Sequence, residues 1–249
     1  MPSASLLALT LVGLLFGSLA GGLSYRLPRG LPIGSDRSRC PSCRATLGPV
    51  DLIPVLSWLM LRGRCRHCGK PVSWRYPVIE LVTAALFLWS GWLSGADLPM
   101  AVMLSLTAFG LVVIAVVDLE AGIIPDGMLL FLIPLAVLWR RYGDGEWLDA
   151  SLGALLAGSI SYGVRWGFLR WRRRDGLGLG DVKFLCVAGF YVGLSGLGGY
   201  LVASALLGIC LGFGWRLGGR GPVFPFGPAL CAGLLLATFF PDIFLRLVE

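Results

Sequence analysis

Residues 98–117 read LPMAVMLSLTAFGLVVIAVV, and Asp118 follows at once. As an α-helix this uncharged run is about 30 Å long at about 1.5 Å per residue, the thickness of a bilayer's hydrocarbon core. It predicts a membrane span that ends on a carboxylate. Similar apolar blocks lie at 4–25, 78–96, 122–139, 148–168, 182–196, 197–215 and 225–247. Eight spans are therefore expected. The sixth and seventh are separated only by Ser195-Gly196-Leu197-Gly198-Gly199. The whole chain agrees: of 249 residues 56% are hydrophobic and 14% charged, with a mean hydropathy of +0.80. Soluble domains carry about 25% charged residues. The composition excludes disorder, collagen and coiled coil, and points to an all-α polytopic membrane protein.

Met1–Tyr25 contains no Lys or Arg, so it lacks the basic n-region of a cleaved signal and reads as a retained first span. Gly13, Gly17 and Gly21, and later Ala154 and Gly158, supply small faces for close helix packing. No internal repeat stands out.

One polar segment, residues 26–77, separates spans one and two. It holds ten basic residues: Arg26, Arg29, Arg37, Arg39, Arg44, Arg62, Arg64, Arg66, Lys70 and Arg75. If it is cytoplasmic and the chain alternates across eight spans, that side also takes Arg165, Arg170, Arg172, Arg173, Arg174, Lys183, Arg216 and Arg220. Only Arg140, Arg141 and Arg246 face the other way. This asymmetry obeys the positive-inside rule with both termini outside. The net charge of +7 then reflects loops facing anionic lipid rather than nucleic acid. The expected organisation is a first helix over 1–25, a cytoplasmic cysteine domain over 26–77, and a transmembrane domain over 78–249.

Four of the seven cysteines lie in that segment as Cys40-Pro-Ser-Cys43 and Cys65-Arg-His-Cys68. Two such turns supply four thiolates, the complete tetrahedral shell of a structural Zn2+. A redox pair or two disulfides are the competing chemistries. A cytoplasmic loop disfavours the disulfides, and no βαβ context supports a thioredoxin-type site. His67, inside the second turn, is a spare ligand or a solvated neighbour. Cys186, Cys210 and Cys231 stand in apolar blocks and read as buried packing residues.

Ionisable groups at a membrane edge are costly, by about 2.5–3.5 kcal/mol at mid-bilayer, and so mark function. Two sites stand out: Asp118, Glu120 and Pro125-Asp126 in the turn between spans three and four, and Gly178-Leu-Gly180-Asp181-Val-Lys183 entering span six. Charge counting puts both on the cytoplasmic side. Two carboxylates facing each other share a proton and serve as general base and general acid for hydrolysis by water. Gly178 and Gly180 would let a substrate backbone come close. The alternatives are structural for Asp126, as a helix N-terminal acid, and for Glu120, as a solvated turn residue. For Asp118 and Asp181 the alternative is a cation-coupled transporter. There is no Gly-x-Ser-x-Gly, and the glycine-rich run lacks a P-loop Lys-Ser/Thr.

These stretches resemble the bacterial prepilin peptidases, or type IV leader peptidases, which are GxGD-type intramembrane aspartic proteases. The matching residues are Gly17-Ser18, Tyr25 to Pro28, both cysteine turns, Leu56-Ser-Trp58 to Cys65, Arg75-Tyr-Pro-Val-Ile-Glu80, Asp118 through Asp126, Gly178 to Lys183, and Pro225-Phe-Gly-Pro228. They run in the family's order over nearly the whole chain. Gly21 departs from the first-span motif, which usually carries Asn there. The resemblance implies cleavage of type IV prepilin and type II secretion pseudopilin leaders after Gly, at the cytoplasmic face of the bacterial inner membrane. It implies Asp118 and Asp181 as the catalytic pair and a zinc domain at Cys40, Cys43, Cys65 and Cys68. It also implies N-methylation of the new N-terminus with S-adenosylmethionine, with Glu80 the candidate for methyl transfer or, structurally, a helix-start carboxylate at span two. Glu120 and Asp126 are expected to meet the basic leader. The competing readings are a peptidase without methyltransferase activity and, from another class, a zinc-domain membrane transporter or assembly scaffold.

Overall fold

Uncapped apolar sequence becomes helix almost throughout. The computed structural model describes residues 1–34, 37–143, 145–173, 176–219, 221 and 224–241. Among them are helices α1 (Ser3–Arg26), α2 (Leu56–Met60), α3 (Arg75–Leu93), α4 (Leu98–Ala121), α5 (Asp126–Tyr142), α6 (Trp147–Arg172), α7 (Leu179–Leu217) and α8 (Gly227–Phe239). Two isolated bridges are the only β-pairing among the described residues. Each predicted apolar block falls on a helix. Among the described residues four helices are long and apolar enough to cross a bilayer: α1 with the turn that follows it, α3, α4 and α7. At 17 residues α5 is about 26 Å long, and α8 has 13 residues before the described chain ends. Arg174, Arg220, Arg246 and the end of the last predicted span lie outside the described residues.

Blocks six and seven form one element. The break within α7 is at Gly193 (φ +73°, ψ 175°) and not at the expected 195–199 stretch. Residues beyond Gly193 carry on in helical geometry because Ser195, Gly196 and Gly198 tolerate a helix in an apolar setting, whereas only a glycine takes Gly193's backbone angles cheaply.

The chain divides into two compact units, Met1–Val113 and Ile114–Glu249. In the first, α1 and α3 run antiparallel. The expected small face is where they meet. A Cβ on Gly17 would collide with the Glu80 backbone, and one on Gly13 would lie 2.8 Å from the Ala84 Cα. Phe16 fills the seam, its ring tilted by 41° at 5.4 Å from Phe87 and edge-on at 5.1 Å to Phe109.

Between α1 and α3 the polar segment folds into two matching turns. Arg39 pairs with Thr46 and Arg64 with Pro71. The N–H of Cys40 donates to Ala45 O and that of Cys65 to Lys70 O, both at 2.9 Å. The N–H of Leu47 donates to Ser38 O and that of Val72 to Gly63 O. The second set is the first displaced by 25 residues. This repeat of backbone pairing is hard to see in the sequence because only the cysteines and the arginine ahead of each pair, Arg39 and Arg64, recur. Arg44 and Gly69, each just after its second cysteine, both have φ near +60°.

The second unit is built on α7. Its first half buries Phe184, Ala188 and Tyr191, and Tyr200 is fully buried beyond the break. The backbones of α6 and α7 touch at Gly153 and Gly189, and Gly158 fits against Cys186 Sγ, as small residues there should allow. The Tyr200 hydroxyl donates to the Leu230 carbonyl of α8 at 3.4 Å. Cys231 is buried and Cys186 half-buried, but Cys210 is exposed on α7, contrary to its expected burial. An apolar residue on the outer side of a membrane helix faces lipid, so hydrophobicity alone does not report burial there.

Candidate active site and metal centre

The turn from α4 to α5 and the start of α7 enclose one cavity of about 460 Å³. Asp118, Asp126, Gly178, Gly180, Asp181 and Lys183 are among its lining residues, with Ile123, Ile124 and Pro125 as its apolar wall. Two carboxylates separated by 63 positions in sequence thus open on the same space, each delivered by a helix end. Asp118 is buried in the last turn of α4, and Asp181 lies in the first turn of α7.

Backbone N–H groups orient both. The Gly178 N–H donates to Asp181 Oδ2 at 3.1 Å, so Asp181 caps its own helix. The Gly227 N–H donates to Asp118 Oδ2 at 2.8 Å. A Cβ on Gly227 would lie 2.6 Å from that oxygen, so a side chain there would push the loop off the carboxylate. In the sequence Gly227 stands out only within Pro225-Phe-Gly-Pro228 and not as a site residue. Nothing in a Phe-Gly-Pro tripeptide announces a hydrogen bond to a residue 109 positions earlier.

The other expected residues separate. Both oxygens of Asp126 accept from Lys183 Nζ at 2.9 Å. Glu120 is exposed and is not among the residues lining the cavity. Gly178 and Gly180 line it, but the space that side chains would fill is taken. A Cβ on Gly180 would sit 3.1 Å from Ile124 Cβ, and one on Gly178 2.9 Å from Asp181 Oδ2. Their bareness serves the packing of the site itself. Glu80 belongs to the first unit, buried in the second turn of α3, where its Oε2 accepts the Val55 N–H at 2.7 Å.

The four cysteines come together, with thiols within 4.8 Å of one another. Zn–S bonds of about 2.3 Å would put tetrahedral sulfurs about 3.8 Å apart, so a small inward movement closes the shell on a metal ion. His67 is not part of the cluster. Cys40 and Cys65 are buried, and the Cys43 backbone N–H, directed at the Cys40 thiol, brings it down to about 7, toward the thiolate that a metal requires. Asp51 buttresses the domain. Its Oδ2 accepts the Gly48 N–H at 3.0 Å and its Oδ1 the Arg66 guanidinium at 2.8 Å, which together hold its carboxyl below the usual range.

Helices long and apolar enough to cross a membrane, a cavity lined by two aspartates and a four-cysteine cluster that could hold a metal ion belong together in one class of protein, the membrane-embedded peptidases. Comparison with known proteins agrees. The bacterial peptidase A24 N-terminal domain matches residues 11–94, and the type IV leader peptidase family matches residues 105–213. A prepilin leader peptidase/N-methyltransferase of Bacillus subtilis (strain 168) is 37% identical over 242 residues, covering 94% of each chain. The protein of the same name from Dickeya chrysanthemi is 34% identical over 260 residues, covering 92% of this chain and 90% of its own. One from Burkholderia pseudomallei (strain K96243) is 32% identical over 276 residues, covering 96% and 87%. No solved structure matches. The chain belongs to the type IV leader peptidase family.

Proposed function

We propose that this enzyme cleaves the leaders of type IV prepilins and type II secretion pseudopilins after glycine, at the cytoplasmic face of the bacterial inner membrane, with Asp118 and Asp181 as its acid–base pair. The observation that carries the reading is that both aspartates open on one cavity. Each carboxylate is held through Oδ2 by a backbone N–H, which leaves Oδ1 for chemistry. The ionised partner takes a proton from water as the water oxygen attacks the scissile carbonyl carbon. The protonated partner gives its proton to the carbonyl oxygen. When the tetrahedral intermediate collapses, the C–N bond breaks and the leaving amine is protonated.

The eight-span topology with the cysteine segment inside belongs to the same proposal, as does the organisation 1–25, 26–77 and 78–249. The metal is Zn2+, held by Cys40, Cys43, Cys65 and Cys68 in a structural role, since four thiolates leave no open position. The relatives' names also bring N-methylation of the new N-terminus, for which S-adenosylmethionine is the donor. Glu80 is buried, and its Oε2 accepts the Val55 N–H across 25 positions, which ties the polar segment to α3. We assign it a supporting role in the first unit.

Purified Asp118→Asn and Asp181→Asn proteins, given a prepilin with a Gly-Phe junction, should retain their helical content and zinc but yield no cleaved product by mass spectrometry. Wild-type turnover in either variant would remove that aspartate from the mechanism.

A further inference from the structure

The cysteine domain carries an apolar face that catalysis does not use. Leu56, Leu59 and Met60 recur at i, i+3 and i+4, so they share one face of α2. All are exposed, Met60 by 79%, and so are Ile53 before them and Trp74 just ahead of α3. The opposite face is anchored inward. Trp58 Nε1 donates to Val72 O at 3.0 Å, and its ring closes on Gly63.

A strained turn sets where this face sits. Val55 has φ +60° and ψ −50°, a conformation rare for any β-branched residue, and the Leu56 N–H reaches back to Pro54 O. The Glu80 carboxylate holds that turn through the Val55 N–H. Glu80 lies five residues into α3, about 7.5 Å along the helix from its start at Arg75. The beginning of α2 is therefore level with the second turn of a helix long and apolar enough to cross the membrane. That depth is the boundary between headgroups and acyl chains.

We propose that α2 is an interfacial anchor. Leu56, Leu59 and Met60 enter that boundary on the anionic cytoplasmic leaflet, and Trp74 marks its edge. Charge favours lipid as the occupant. From Leu56 to Trp74 there is no Asp or Glu, while Arg62, Arg64 and Lys70 are all exposed. An amphipathic face bordered by cations is the pattern that binds anionic bilayers, with aromatic rings at headgroup level. The anchor ties the metal domain down to the surface at which prepilin leaders would arrive. It rests on α3 crossing the bilayer.

The test uses the full chain in bacterial membranes, with benzoylphenylalanine incorporated singly at Leu56, Leu59, Met60, Ser42 and Leu81. Ser42 is an exposed residue of the first cysteine turn, and Leu81 an exposed residue of α3. After irradiation, intact mass should show phospholipid adducts at Leu56, Leu59 and Met60 several-fold above Ser42, with Leu81 also labelled and zinc retained. Labelling at Leu81 without labelling on α2, or equal labelling at Ser42, would overturn the anchor and leave the span standing. Protein adducts in place of lipid on α2 would assign the face to a protein partner. Absence of lipid at Leu81 would overturn both the span and the anchor.

Discussion

Removing the guanidinium of Arg140 should destabilise the protein through a helix break far from Arg140 in sequence. In an unbroken helix the Leu194 N–H would donate to Phe190 O, and the Ser195 N–H to Tyr191 O. Gly193 ends that ladder. The stranded Phe190 carbonyl accepts from Arg140 Nε at 2.9 Å, and the stranded Ser195 N–H donates to Asp149 Oδ1 at 3.0 Å. The two side chains pair at 3.3 Å, with Arg140 11% and Asp149 23% exposed. At an effective dielectric of about 20 the attraction at that distance is about 5 kcal/mol, offset in part by desolvation. Breaking such a pair by removing one partner costs about 3–5 kcal/mol, and Asp149's residual exposure favours the lower end, about 3 kcal/mol. For a chain of this size that lowers Tm by about 6–12 °C. Arg140→Met should show this in thermal unfolding of the detergent-solubilised protein. Arg140→Met combined with Asp149→Leu should recover part of the loss, because no lone charge remains. A shift of the single variant below about 2 °C, or a double variant less stable than the single, would refute the reasoning.

Cys43→Ser and Cys68→Ser should each abolish stoichiometric zinc and make residues 26–77 protease-sensitive, as read by metal analysis and limited digestion; full zinc content in either would break the four-thiolate assignment. Gly17→Leu should wedge α1 off the Glu80 backbone and cost about 1–3 kcal/mol in the same thermal assay, whereas Gly22→Leu, with open space beside it, should cost little. Lys183→Met should scarcely change stability, since the pair with Asp126 is exposed and such pairs contribute about 0–1 kcal/mol. It should lower KM for prepilins with basic leaders, because it frees Asp126 to receive them; an unchanged KM would remove Asp126 from leader recognition.

The helices were legible because a run such as 98–117 has one outcome in lipid: backbone groups must bond internally, and only length and apolarity are needed to see it. That Asp118 and Asp181 reach one cavity and the four cysteines one cluster was legible for the complementary reason, that a carboxylate beside a span is costly and a paired C-x2-C is regular. What could not be read is what depends on a second segment. The sequence of Asp126 does not disclose Lys183 as its partner, nor does that of Asp118 disclose the Gly227 N–H. Ser195 to Gly199 looked like the break in α7 because glycine and serine were counted there, yet the bend follows the Arg140–Asp149 pair, which rewards Gly193 alone with partners for its stranded backbone groups. Glu80, a carboxylate near the start of a span, is open in the sequence both to chemistry and to a helix-start role. Its hydrogen bond to Val55 becomes visible only when residues 25 apart in sequence meet.

The antiparallel seam between α1 and α3 makes the whole cysteine domain a detachable excursion. Helix α1 ends at Arg26 and α3 begins at Arg75 against that same helix, so the 48 intervening residues close a loop whose base is already tied. Replacing them with a turn of about five residues would lower the closure entropy by about 2 kcal/mol and leave the Gly13 and Gly17 contacts untouched. Beyond its base the hairpin is tied to what it carries by the Glu80–Val55 hydrogen bond, so a domain deleted at this point would have to leave a new partner for that buried carboxylate.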